Sequence, residues 1–174
     1  MSPVALALLS QGPDPRSTQE SMLFDRFVGD WEFDVIYYRP DGSQRKATGE
    51  WHFSRVLEGR AIQDVWMVPT AAERAATGAE PTGYGTAVRF YDPRIDAWRV
   101  TWHGVVERVV FRFIARLEGD EIVLEGDDPG EPTRWIFSDI EPESFRWRNV
   151  VSRDGGKSWE KQQEMFVRRR TASK

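Results

Sequence analysis

The side chains best able to do chemistry here are one carboxylate and a few amides and hydroxyls set among aromatics. Asp64 lies between Ile62 and Trp66 in an apolar run, and two-residue alternation puts all three on one face. A carboxylate on a buried face is costly unless paired or protonated. Asp64 is therefore matched by an internal arginine, placed at a rim, or left with a raised pKa that suits a general acid or base. Tyr37, Thr86, Asn149 and Gln163 fall on the same inward pattern and could hydrogen-bond a molecule in an otherwise apolar cavity. Of the two histidines, His52 alternates outward with Glu50. His103 follows Trp102 and points outward or sits in the turn before Gly104. A bulge would reverse faces, so His103 remains a candidate acid or base beside Asp64.

Several chemistries are excluded or unsupported. The chain has no Cys, which removes disulfides and thiolate metal sites and fits a reducing compartment. Two scattered histidines do not make a transition-metal site, and no pattern supports a haem held by one of them. There is no Gly-rich phosphate loop and no Gly-x-Ser-x-Gly elbow, so no cofactor is expected. Net charge is −4 with a pI near 5.3, and the run Arg168-Arg169-Arg170 is too short to form a nucleic-acid footprint. No stretch approaches the roughly 20 apolar residues of a membrane helix. The apolar segment Val4–Leu9 has no preceding Lys or Arg and is too short for an export signal. A soluble cytoplasmic protein is expected.

The elements that would position the inward residues are strands. From Trp31 onward the apolar period is two, with candidate strands at 31–39, 44–55, 60–68, 84–91, 95–103, 106–117, 120–126, 132–139, 144–152 and 158–168. Short turns such as Asp41-Gly42, Glu58-Gly59, Asp92-Pro93, Glu118-Gly119-Asp120 and Glu141-Pro142 separate them. This predicts an all-β, antiparallel up-and-down barrel of about eight to ten strands over 17–170. Inward alternation collects Trp31, Phe33, Val35 and Tyr37; Trp51 and Phe53; Ile62, Asp64, Trp66 and Val68; Thr86, Val88 and Phe90. It continues with Trp98, Val100 and Trp102; Val109, Phe111 and Phe113; Ile122 and Leu124; Trp135 and Phe137; Phe145, Trp147 and Asn149; and Gln163, Met165 and Val167. A barrel of this size either fills itself with side chains or encloses one small ligand.

Three other segments carry readable signals. Residues 1–16 form a tail, and its apolar Val4–Leu9 run packs on its own domain or on a neighbouring subunit. Ser17-Thr18-Gln19-Glu20 reads as a capping box, followed by Leu23, Phe24, Phe27 and Val28 at helical spacing. A short helix closing one end and stopping at Gly29 is predicted. The small-residue connection Pro69–Gly83 is either a surface excursion with one helical turn or a lid. Ser152-Arg153-Asp154-Gly155-Gly156-Lys157-Ser158-Trp159 is similar to the sialidase Asp-box, a structural hairpin turn in which Asp154 caps and Trp159 packs beneath.

With Gly29-Asp30-Trp31 behind a short closing segment, the chain resembles the lipocalins, whose Gly-x-Trp opening places a Trp at the barrel base. That resemblance implies an arginine from the last strand stacked on Trp31, for which Arg168 and Arg170 are the candidates. Phe27–Trp31, Leu57-Glu58-Gly59-Arg60, Gly83-Tyr84-Gly85 to Tyr91-Asp92, Trp98 and the closing hairpin together resemble a family of uncharacterised bacterial lipocalin-like (calycin) domains over roughly residues 20–168. The resemblance implies a fold and leaves function to the residues.

Three functions fit this pattern. In the first, the barrel binds a small, largely apolar or aromatic molecule. Trp31, Trp51, Trp66, Trp98, Trp102, Phe111, Trp135 and Trp147 would line the cavity, Tyr37, Asp64, Thr86, Asn149 and Gln163 would orient the ligand, and 69–83 would gate it. In the second, the protein is a cofactor-free isomerase, cyclase or hydratase with Asp64 as acid or base against Tyr37 or His103. In the third, the barrel is a filled scaffold and its tail mediates a homodimer.

Overall fold

The computed structural model describes residues 2–128 and 130–170, with backbone alone at Leu6 and Ala7. Ten strands close into one antiparallel barrel: β1 Gly29–Tyr38, β2 Gln44–Val56, β3 Ala61–Val68, β4 Gly83–Asp92, β5 Ala97–Gly104, β6 Val109–Glu118, β7 Glu121–Gly126, β8 Thr133–Glu141, β9 Ser144–Val151 and β10 Glu160–Arg169. Each strand pairs with the next, and β1 closes on β10. Closure leaves no unpaired sheet edge, which is how an all-β chain avoids edge-to-edge association. The strands match the two-residue alternation of the sequence because one face packs inside and the other faces water.

Nine of the ten strands present the expected inward face, and β4 is the exception. Its register with β3 pairs Asp64 with Ala87 and Ile62 with Arg89. Gly83, Gly85, Ala87 and Arg89 therefore face inward, and Thr86, Val88 and Phe90 face outward. The sequence misleads here because the inward face carries two glycines, an alanine and an arginine, while the outer face is the more apolar. The glycines are required by the packing. A Cβ at Gly85 would lie 2.3 Å from the Trp102 ring, and one at Gly83 would lie 2.5 Å from Trp66. Bare backbone lets both indoles pack closely against this wall.

One end of the barrel is plugged. Residues 20–27 form two 3₁₀ turns, Glu20–Met22 and Asp25–Phe27, in place of the single capped helix that the spacing predicts. The expected Ser17–Glu20 box is replaced by a reciprocal pair in which Thr18 N–H donates to Ser21 Oγ at 2.7 Å and Ser21 N–H donates to Thr18 Oγ1 at 3.3 Å. The turns drive Phe24 and Phe27 fully into the barrel. The Phe27 ring sits 4.8 Å from both Phe137 and Phe145, and the Phe24 ring 5.0 Å from Trp98. Tertiary packing of these rings outweighs the local preference for a regular helix.

Trp31 anchors this end. Its indole N–H donates to the Phe27 carbonyl at 2.7 Å, and Arg169 lies over its ring at 4.0 Å. Arg169 also donates to the carbonyls of Pro142, Val28 and Arg26. The stacked residue is therefore Arg169, not Arg168 or Arg170. β10 parity explains it: Arg169 pairs with Trp31 on the inner face, while Arg168 turns out to Asp34 and Arg170 to Glu50.

The tail contains helix α1, Pro3–Leu8, and then follows its own barrel. Leu9 bridges to Val56, and Asp14 N–H donates to the Gly59 carbonyl. The 69–83 connection contains helix α2, Ala71–Thr77, capped by Thr70 and ended by Gly78 in the left-handed conformation at φ +71°. This helix is held to the outer face of β2–β4: Ala71 N–H donates to Glu50, Thr48 Oγ1 donates to Glu73, and Arg74 lies over Tyr84. Among the described residues, no helix is long and apolar enough to cross a membrane.

Candidate functional site

Above the plug the barrel is hollow. A cavity of about 160 Å³ lies in its upper half and reaches the surface beside Glu107, Val109 and Phe111. A chain of indoles forms much of its wall. Trp51 and Trp147 have ring centroids 6.4 Å apart, Trp147 and Trp135 5.3 Å, Trp135 and Trp102 5.9 Å, and Trp102 and Trp66 6.1 Å. Phe113 backs Trp135 at 4.3 Å, and Phe33 stacks behind Trp66 at 5.6 Å with their planes 7° apart. Large aromatic faces with an occasional N–H suit a pocket for a flat apolar molecule.

The polar part of the lining is compact. Asp64 on β3 and Arg89 on β4 form an ion pair, with side chains 0% and 2% exposed. Arg89 Nη2 donates to Asp64 Oδ2, and Ala87 N–H donates to Asp64 Oδ1 at 3.2 Å. Burial pushes the Asp64 carboxyl above its ordinary value, while Arg89, Trp51 and the Ala87 amide favour its charged form. The Arg89 guanidinium is wedged between Phe24, 5.0 Å from its ring centroid, and Phe53 at 5.2 Å. This pair is the internal-arginine solution to the Asp64 problem. Arg89 itself was hidden because its strand reads in the opposite phase; the unmatched buried Asp64 was the one signal that required such a partner.

Several lining donors have no acceptor. Trp147 Nε1, and Arg89 Nε and Nη1 are buried and unpartnered, as is the acceptor Asn149 Oδ1, while Trp51 Nε1 acts on the Asp64 carboxylate without reaching good hydrogen-bond geometry. The indoles below the cavity are satisfied: Trp31 by Phe27, and Trp98 by the Glu20 carbonyl at 3.0 Å. Beside the cavity, Trp66 Nε1 donates to Met165 Sδ at 3.3 Å.

Of the residues expected to surround a ligand, Trp51, Asp64, Trp66, Trp102, Phe111, Trp135, Trp147, Asn149 and Gln163 all line this cavity. Trp31 and Trp98 face inward but belong to the plug. Tyr37 faces inward above the cavity, under Arg45 at 4.1 Å, and burial pushes its phenol pKa up. Thr86 is displaced from the expected set. It faces outward, accepting from Gln63 Nε2 at 3.1 Å and donating to the Asp64 carbonyl. His103 pairs with outward Thr86 across β4–β5, is exposed, and is not brought to Asp64. The other histidine, His52, is outside too, 2.6 Å from Asp30. None of residues 69–82 lines the cavity, and α2 sits on the outer face, which matches the surface excursion with a helical turn rather than the lid. Among the described residues, no three His, Asp or Glu side chains converge as a metal site would.

No family model matches the chain, and no curated protein matches its sequence. Solved structures do match its shape. The S-type phycobiliprotein lyase CPES from Guillardia theta is 12% identical with a TM-score of 0.56, over 92% of this chain and 97% of that one. Rv2717c from M. tuberculosis is 11% identical with a TM-score of 0.58, over 88% of this chain and 99% of that one. At this identity the likeness is one of fold, and the chain is a closed ten-stranded barrel of the lipocalin-like type.

Proposed function

We propose that the protein binds a small, largely apolar or aromatic molecule in the upper half of its barrel. The observation that carries this reading is the hollow, tryptophan-walled volume of about 160 Å³ above a solidly packed plug. Protein interiors are otherwise close-packed. A void of about 150 Å³ lined by apolar side chains is enough to take up a molecule the size of benzene. The similar fold of a phycobiliprotein lyase is compatible with carriage and with catalysis. The geometry favours carriage, because both oxygens of Asp64 are engaged by Arg89 and Ala87.

Native mass spectrometry of the protein from its own cells, with tryptophan fluorescence titrations of a panel of flat apolar compounds, tests the proposal. One bound molecule per chain and saturable quenching are expected. Gln163→Trp, which fills the cavity from its partly buried wall, should abolish both while leaving the melting temperature close to that of the parent. A protein that carries nothing and whose tryptophans respond to no compound would refute the reading.

A further inference from the structure

The lining also specifies the kind of molecule. This inference rests on the binding reading above and concerns the ligand's polar atoms. Apart from Trp51, which acts on Asp64, the buried lining holds three donor nitrogens without an acceptor, on Trp147 and Arg89, against one acceptor without a donor, Asn149 Oδ1. Leaving a buried donor unmatched costs about 1–3 kcal/mol, so a molecule that supplies an acceptor recovers free energy that a pure hydrocarbon does not. The Phe24 and Phe53 rings take up part of the Arg89 guanidinium. The Trp51 N–H leans on Asp64, whose charged form it favours, and the Trp147 N–H has no such compensation.

Charge narrows the class further. The charged residues lining the cavity are Arg89, Asp64 and Glu107. Arg89 is already neutralised by Asp64, and Glu107 stands at the mouth. A carboxylate or phosphate entering here would meet two carboxylates and one engaged cation, and it would have to shed its hydration to do so. An uncharged acceptor meets no such opposition. The indole walls accept a planar body, and the depth is limited by the Asp64–Arg89 pair resting on Phe24 and Phe53.

We infer that the ligand is an uncharged planar ring system bearing a carbonyl oxygen, and that the carbonyl end is held by the indole N–H of Trp147 beside Arg89. Asn149, across the β8–β9–β10 wall from Trp135 and Gln163, is the matching acceptor for a ring N–H or hydroxyl on the same molecule.

The test is equilibrium dialysis of the full-length protein with three single-ring probes of one shape, matched to a cavity of about 160 Å³: acetophenone, α-methylstyrene and benzoate. Acetophenone should bind about tenfold more tightly than α-methylstyrene, the value of one recovered hydrogen bond, and the carboxylate should bind weakest. The acetophenone carbonyl stretch should shift to lower frequency on binding. Both the shift and the tenfold preference should vanish in Trp147→Phe, which keeps the aromatic wall and removes the donor. If α-methylstyrene binds as tightly as acetophenone, the cavity binds ligands but the carbonyl inference falls. If the carboxylate binds tightest, the floor is an anion site and the inference falls likewise. If no probe binds, the binding reading fails and takes the inference with it.

Discussion

Replacing Arg89 by Met is the sharpest perturbation of the site's framework. The variant keeps a long unbranched chain between Phe24 and Phe53 but leaves Asp64, wholly buried, with only the Ala87 amide at 3.2 Å and the neutral Trp51 N–H to support its charge. Breaking a buried ion pair on one side costs about 3–5 kcal/mol, because the remaining charge has lost its partner and cannot reach water. For a chain of this length that corresponds to a fall in Tm of roughly 6–20 °C. The variant's dependence on pH carries the diagnostic sign. A carboxyl with a folded pKa above its unfolded value of 3.8 binds a proton more readily in the native state. Stability then increases as pH falls toward 3.8, by up to about 1.4 kcal/mol per pH unit. Without Arg89 that pKa moves higher still, so the deficit of Arg89→Met relative to the parent should shrink from pH 8 to pH 5. Adding Asp64→Asn should restore most of the stability at pH 7 and remove the pH dependence of the difference. Urea unfolding followed by tryptophan fluorescence at several pH values measures all three effects. A deficit below about 1 kcal/mol at pH 7, or one that does not change with pH, would refute the account of Asp64 as a buried carboxylate held by Arg89.

Two further predictions test the framework away from the cavity. On the outer face, burial opposes the charged form of Glu164, but Lys161, Tyr38 and Arg146 together outweigh it and hold the carboxyl below the ordinary value of 4.5. A depressed folded pKa gives stability that is present above 4.5 and lost as pH falls through the folded value, so Glu164→Gln should cost about 1–2 kcal/mol at pH 7 and progressively less in acid melts. Arg169→Ala removes the stack on Trp31 and three bonds to carbonyls that tie the plug to β8–β9. It should cost about 2–3 kcal/mol in urea unfolding, and Arg169→Lys should recover little of it, because an ammonium cannot stack and fork at once.

The strands were legible because nine of them bury one face and wet the other, and alternation reports that contrast directly. All ten appear within a few residues of their expected positions. The closing segment was legible as an apolar stripe but not as 3₁₀ turns. Its geometry is set by where the Phe24 and Phe27 rings fit among Trp98, Phe137 and Phe145, which lie more than 70 residues away along the chain. Arg169 was concealed for a related reason: three consecutive arginines differ only in strand parity, and parity follows from the pairing of Trp31 with Arg169. In the candidate site, the tryptophans and Asp64 could be read from the sequence. Arg89 could not be seen by any rule that places apolar residues inside.

That last failure points to how β4 finds its register. Judged by apolarity alone, the strand would turn Thr86, Val88 and Phe90 inward, and a one-residue slip against β3 would achieve it. The slip would carry Arg89 to the surface and leave Asp64 buried without a cation. It would also replace Gly83 and Gly85 on the inner wall with Tyr84 and Thr86, where even a bare Cβ at the glycine positions already meets Trp66 and Trp102 within 2.5 Å. The observed register exposes Phe90 to 44%, a modest loss for one aromatic ring. The alternative combines an uncompensated carboxylate with side chains forced into two indoles, and both penalties are larger. The Asp64–Arg89 pair is thus as much a register device as a floor for the cavity: it selects the phase in which glycines face the tryptophans, and that phase is the one that leaves the cavity open.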